Sequence, residues 1–147
     1  MAQRMEWWMG AVMAATLQIG PAAAQSLPRE VEAARRSAGE ACIGRVEFAP
    51  GYIQMVDFNG DGRPDYLVNE EMVKCPGAPP LFCGSGGCSW ALYLSGAGGG
   101  YRKVLDGLDY KLTIERSATP PILGTEGRGG RSRYQWNGRA MARIGGR

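Results

Sequence analysis

The stretch VDFNGDGRPDYLV, Val56 to Val68, decides how the rest of the chain is read. Oxygen-bearing side chains recur at alternate residues, Asp57, Asn59 and Asp61, and after Gly62 a further carboxylate follows at Asp65. Calcium takes about six to eight oxygen ligands in flexible geometry, and a short loop supplies them from alternate positions. Counted from Asp57, the third, fifth and ninth places hold Asn59, Asp61 and Asp65, and Arg63 at the seventh offers its backbone carbonyl. Three carboxylates so close in sequence repel one another unless a cation sits among them. An Asx turn with glycine at positive φ accounts for Asn59-Gly60 or Asp61-Gly62. It does not account for all four oxygen positions at once.

The flanks decide the architecture. An EF-hand closes its loop with a bidentate glutamate at the twelfth place, and here that place is Val68, inside an apolar run. Both sides of the loop alternate with period two, so the expected unit is strand, calcium loop, strand. In this respect VDFNGDGRPDYLV resembles the calcium loop of FG-GAP and VCBS-type repeats, the integrin-like β-propeller units of extracellular proteins. The resemblance implies Ca2+ as the cofactor, with Asp57, Asn59, Asp61 and Asp65 and the Arg63 carbonyl as ligands. A propeller typically needs about four or more blades, and this chain of 147 residues carries the motif once. The expectation is therefore one small domain steadied by a single loop. The wider layout resembles small exported bacterial proteins with a leader, a helix, one such loop and a CGSGGC segment.

Working outward toward the N-terminus, MAQRMEWWMGAVMAATLQIGPAAAQS has Arg4, an apolar run from Trp7 to Ile19, and then Pro21 with Ala22-Ala23-Ala24. That is the order of an export signal with an A-x-A cleavage site, giving residues 1–24 as leader and Gln25 as the first mature residue. Glu6 is atypical there. The rival reading is a short membrane anchor, against which the run falls below the roughly 20 residues needed to span. The expected compartment is periplasmic or secreted. After it, SLPREVEAARRSAGEACIG reads as a helix capped by Ser26, with Pro28 in its first turn and Gly44 at its end. Leu27, Val31, Ala34, Ala38 and Cys42 form its apolar stripe.

Downstream the period is two: RVEF, YIQMVDF, DYLVN, SWALYLS, YRKVL and YKLTIER read as short strands. GAGGG joins the fourth to the fifth. PPILGTE reads as an edge strand because its prolines cannot donate to a ladder, and Asn137-Gly138 as the turn of a last hairpin. The expected class is α+β, an N-terminal helix docked on a mainly antiparallel meander that carries the calcium-loop hairpin, in one domain spanning 25–147.

Cysteine usage agrees with export. Cys42, Cys75, Cys83 and Cys88 form an even set in a small domain, which implies two disulfides with three possible pairings. Cys83 and Cys88 bracket a glycine-rich loop, which suggests a local bridge and leaves Cys42 for Cys75. A four-thiolate zinc site is the rival, but Cys42 lacks the close neighbour that zinc ligands keep.

What the chain excludes is informative. Its 147 residues contain no histidine, so Ser-His-Asp and Cys-His catalysis and His-ligated zinc are absent in their usual forms. Seventeen basic and fourteen acidic residues leave a formal charge of +3, too little to indicate nucleic acid. CGSGG at Cys83 to Gly87 resembles the segment around a trypsin-like serine nucleophile, yet lacks its aspartate and any histidine partner. A thiol redox pair usually has only two intervening residues, and here there are four. Arg128, Arg131, Arg133, Arg139, Arg143 and Arg147 offer a basic C-terminal face for an anionic polymer or lipid headgroup, or a merely solvated one.

These features point to an exported, non-catalytic, calcium-stabilised binding or structural domain of the cell envelope, its partner an unknown protein or envelope component. No stable membrane span is expected. The alternatives are a small periplasmic hydrolase or an inhibitor of a cell-wall enzyme. Glu70 and Glu71 are the nearest carboxylate pair, but as strand neighbours they would face opposite ways. A concave pocket gathering two or more carboxylates away from the loop would favour the enzyme.

Overall fold

The structure is a computed structural model and describes residues 26–146. The expected leader, residues 1–24, and Gln25 lie outside these, as does Arg147. One helix, α1 (Arg29–Ala41), precedes eleven strands: β1 (Glu47–Phe48), β2 (Ile53–Val56), β3 (Asp65–Asn69), β4 (Val73–Lys74), β5 (Cys83–Gly84), β6 (Gly87–Ser95), β7 (Tyr101–Asp109), β8 (Lys111–Glu115), β9 (Ile122–Gly127), β10 (Gly130–Trp136) and β11 (Met141–Gly146). All pairings among them are antiparallel.

This is a mainly-β fold, which corrects the α+β expectation. A single 13-residue helix stands against three sheets: β1–β4, a five-stranded sheet β2-β3-β6 with β5 and β7 both on β6, and a four-stranded sheet β11-β10-β9-β8. The larger share of the interior lies sheet against sheet. Val56, Phe58, Leu67, Trp90, Leu92 and Leu94 of the five-stranded sheet and its loop meet Leu123 of the four-stranded one. Leu112, Ile114 and Trp136 close that interface from the second sheet.

The opposite face of the five-stranded sheet carries Tyr66 and Val68, buried with Val31, Ala38 and Cys42 of the N-terminal segment. A strand covered on both faces cannot alternate polar and apolar, and every residue of β3 is buried. That is why DYLVN reads as a nearly continuous apolar run.

Three local expectations need correction. Pro28, not Ser26, occupies the helix N-cap, and no side chain caps it. PPILGTE is not an edge: β9 pairs with both β8 and β10, and Pro120 and Pro121 precede its first residue, Ile122, where no ladder donor is lost. Glu70 and Glu71 lie in a 3-10 turn, Glu70–Met72, rather than on a strand. The Asn137-Gly138 turn stands as expected, with Gly138 at φ 92° and the Asn137 carboxamide accepting from Arg139 and Ala140 N–H at 2.9 Å each.

Both expected disulfides are present, Cys42–Cys75 and Cys83–Cys88. The first spans 33 residues and ties the end of α1 to the segment after β4. The second joins directly opposed residues of β5 and β6. Loop-closure entropy makes the long bridge the stronger constraint, about 3.7 kcal/mol against about 2 kcal/mol for the short one. Replacing Cys42 and Cys75 together by alanine is expected to lower the denaturation midpoint clearly more than replacing Cys83 and Cys88. Equal losses in urea titrations would contradict this.

Candidate metal loop and neighbouring hollow

The loop between β2 and β3 is anchored by its one large apolar side chain. Phe58 is fully buried in the sheet-to-sheet core, so the polar residues on either side of it stay at the surface end of the hairpin. Gly60 and Gly62, at φ 72° and 81°, turn the backbone so that successive N–H groups point inward. Asp57 Oδ1 accepts from Gly60 N at 2.7 Å and Asp61 N at 3.2 Å, and its Oδ2 accepts from Gly62 N at 2.9 Å. Asn59 Oδ1 accepts from Asp61 N at 3.1 Å, and Asp61 Oδ1 from Arg63 N at 2.8 Å.

Asp65 is the pivot, with no exposed surface. Its Oδ2 accepts from Phe58 N at 2.7 Å and Asn59 N at 3.2 Å, and its Oδ1 from Ser95 N at 2.8 Å. The Ser95 hydroxyl lies 2.6 Å from Asp61 Oδ2 and 3.0 Å from Asp65 Oδ1. A hydroxyl has one proton, so it serves one of these carboxylates at a time. Asn59 Nδ2 donates to the Ser95 carbonyl at 3.1 Å. Burial pushes the Asp65 carboxyl above its ordinary range, against the pull of these donors. Asp61 is held below its ordinary range, chiefly by the Ser95 hydroxyl and the Arg63 N–H.

The fold thus brings Asp57, Asn59, Asp61 and Asp65 into one loop, as their spacing implies. Among the described residues, no group of three or more His, Cys, Asp or Glu side chains forms a ready-made metal cage. The donor set is nonetheless all hard oxygen, the chemistry calcium takes. The Arg63 side chain contributes differently from the expected carbonyl: its guanidinium pairs with Asp61 at 3.3 Å and donates to the Gly96 carbonyl. Ser95 was not singled out in the sequence. Its only signal is its place at the end of β6, beside the strand that carries Asp65.

Two further concave surfaces among the described residues differ in character. On the outer face of the four-stranded sheet, a hollow of about 840 Å3 runs over Gly124 between charged side chains of both signs. Arg131 pairs with Glu126 at 3.1 Å and Arg133 with Glu115 at 2.6 Å. Two of the six arginines of the expected basic face are therefore matched by acids. The groove lined by Arg63, Pro64, Tyr66 and Tyr101 abuts Ser26 to Glu30 at the start of the described chain. A third, smaller hollow lies between α1 and the five-stranded sheet and includes Glu70 and Asp106. Burial raises the Glu70 carboxyl above its ordinary range, and Ser89 and then Lys103 pull it back down. Asp106 is 62% exposed and tied to Lys103 at 3.6 Å. The hollow therefore shields one carboxylate rather than two, and Glu71 does not line it.

No protein-family model, curated protein or solved structure matches this chain.

An acid whose folded pKa is raised holds its proton more tightly when folded, so stability falls as pH rises through that pKa. Glu70→Gln keeps the shape and removes this penalty. The variant is expected to gain on the wild type between pH 4 and pH 7, read as the difference in denaturation midpoints. A constant difference would contradict the buried-charge assignment.

Proposed function

We propose that this protein is an exported, calcium-stabilised binding or structural domain whose partner is another protein or a component of the cell envelope. The carrying observation is Asp65. It is a fully buried carboxylate with no basic side chain in ion-pair contact among the described residues, in a loop that already holds Asp57 and Asp61. Buried charges are ordinarily paired or bound to metal. A divalent cation held by Asp57, Asn59, Asp61 and Asp65 would offset the charge that neutral donors, three N–H groups and the Ser95 hydroxyl, must otherwise balance. The residues fit that role by ligand type, and the ion's contribution would be to tie the β2–β3 turn to the end of β6.

Export is supported by two disulfides in a small domain and by the leader-like residues 1–24. No helix among the described residues is long and apolar enough to cross a membrane. The hydrolase alternative draws less support, because Glu115 and Glu126 in the larger hollow are each engaged by an arginine, and in the smaller one Glu70 is joined only by the largely exposed Asp106.

Binding to the folded state alone stabilises it by about 2.7 kcal/mol at a hundredfold excess over Kd, a Tm rise on the order of 10 °C for a domain of this size. Calcium is expected to raise Tm in this way, chelator to reverse it, and Asp61→Ala to abolish the shift. A melting curve indifferent to calcium and chelator would remove the metal from the proposal.

A further inference from the structure

The hollow beneath α1 includes none of the expected calcium ligands, and its chemistry is of a different kind. Its position follows from sheet register. Ala91 of β6 lies opposite Val68 of β3 and Asp106 of β7, so small side chains floor the space where larger ones flank it. Ala34 of α1 borders it on the helix side. Tyr93 and Lys103 are direct cross-strand partners, as are Ser89 and Leu108. The result is a concave space of about 320 Å3, at the lower end of the size of small-ligand sites.

Polar groups converge on it. Glu70 faces it from the 3-10 turn, with the Ser89 and Tyr93 hydroxyls on the sheet beside it. Behind this lining, and not part of it, Tyr52 is 4% exposed and carries the one buried side-chain polar atom without a hydrogen-bond partner among the described residues. Its phenol is pushed up to about 12, first by burial and then by the nearby Glu70. At the open side, Lys103 adds a positive charge that is half exposed.

Acceptors predominate inside and a cation stands at the mouth. An ammonium group, with three donors and no acceptor, matches the Glu70 carboxylate and the two hydroxyls. A carboxylate on the same ligand matches Lys103. We propose that the hollow between α1 and the five-stranded sheet binds a small zwitterion, an α-amino acid, with its ammonium on Glu70 and its carboxylate on Lys103. Asp106 competes for Lys103 at the surface, and an incoming carboxylate replaces that exposed pair.

The test is a titration of the disulfide-intact protein followed by amide NMR, using alanine, methylamine and acetate as probes. Alanine is expected to give saturable shifts at Ser89, Tyr93 and Lys103, methylamine to bind about tenfold more weakly, and acetate not to bind. Glu70→Gln is expected to weaken alanine and methylamine alike by tenfold or more. Lys103→Gln is expected to reduce alanine to the level of methylamine. Ser89→Ala, less disturbing to the fold, serves as a second variant and is expected to weaken both amines several-fold. The proposal is overturned if alanine produces no saturable shift, if methylamine binds as tightly as alanine, or if neither Glu70→Gln nor Ser89→Ala changes alanine affinity while both variants stay folded. Calcium and chelator are expected to leave alanine affinity unchanged, which keeps this result separate from the metal reading.

Discussion

A single carboxylate holds the distal end of the five-stranded sheet together. Asp65 takes hydrogen bonds from Phe58 and Asn59 on one oxygen and from Ser95 on the other, so it binds the incoming chain, its own strand and the end of β6. Phe58 reaches the sheet-to-sheet core only because this clamp holds the chain directly after β2 against β3. Hydrogen bonds to a charged acceptor are roughly twice as strong as neutral ones. Yet burying that charge carries a large desolvation cost, and this cost is the physical reason to expect a cation at the same loop.

The second constraint is that the five-stranded sheet is covered on both faces. Leu67, Leu92 and Leu94 face the four-stranded sheet while Tyr66 and Val68 lie under α1. The Cys42–Cys75 bridge fastens the helix end across this second interface. Small residues at Ala91 and Ala34 leave that packing incomplete beside Glu70, which is where the hollow forms. At the far corner Gly107 makes room for Trp90, whose indole lies 3.1 Å from where a Cβ would stand. The Trp90 N–H donates to Asp109 at 2.7 Å, fixing the bend by which β7 leaves one sheet and β8 joins the other.

Much of this was legible in the residues. Alternation located β2, β6 and β8, a short apolar run located β3, the spacing of Asp57, Asn59, Asp61 and Asp65 located the loop, and the bracketing of GSGG located the short disulfide. The class was misread because one contiguous helix at the start weighs as much in sequence as several two-residue strands, and β4 and β5 are too short to show any period. PPILGTE was misplaced because its prolines signal an edge wherever they stand, and only the structure puts them just before the strand. Ser95 and Tyr52 carry no motif. The role of Ser95 comes from the proximity of β6 to β3 and the burial of Tyr52 from tertiary packing, neither of which a single sequence encodes locally.

The clamp is tested most directly by amide hydrogen exchange in the native protein. The Phe58 and Ser95 N–H groups have a side-chain carboxylate as acceptor, so their protection reports the Asp65 interaction itself. They are expected to exchange as slowly as the amides of β3, and far more slowly than Gly98 in the loop between β6 and β7. Exchange at Phe58 and Ser95 as fast as at Gly98 would contradict the clamp, and with it the structural account of the loop.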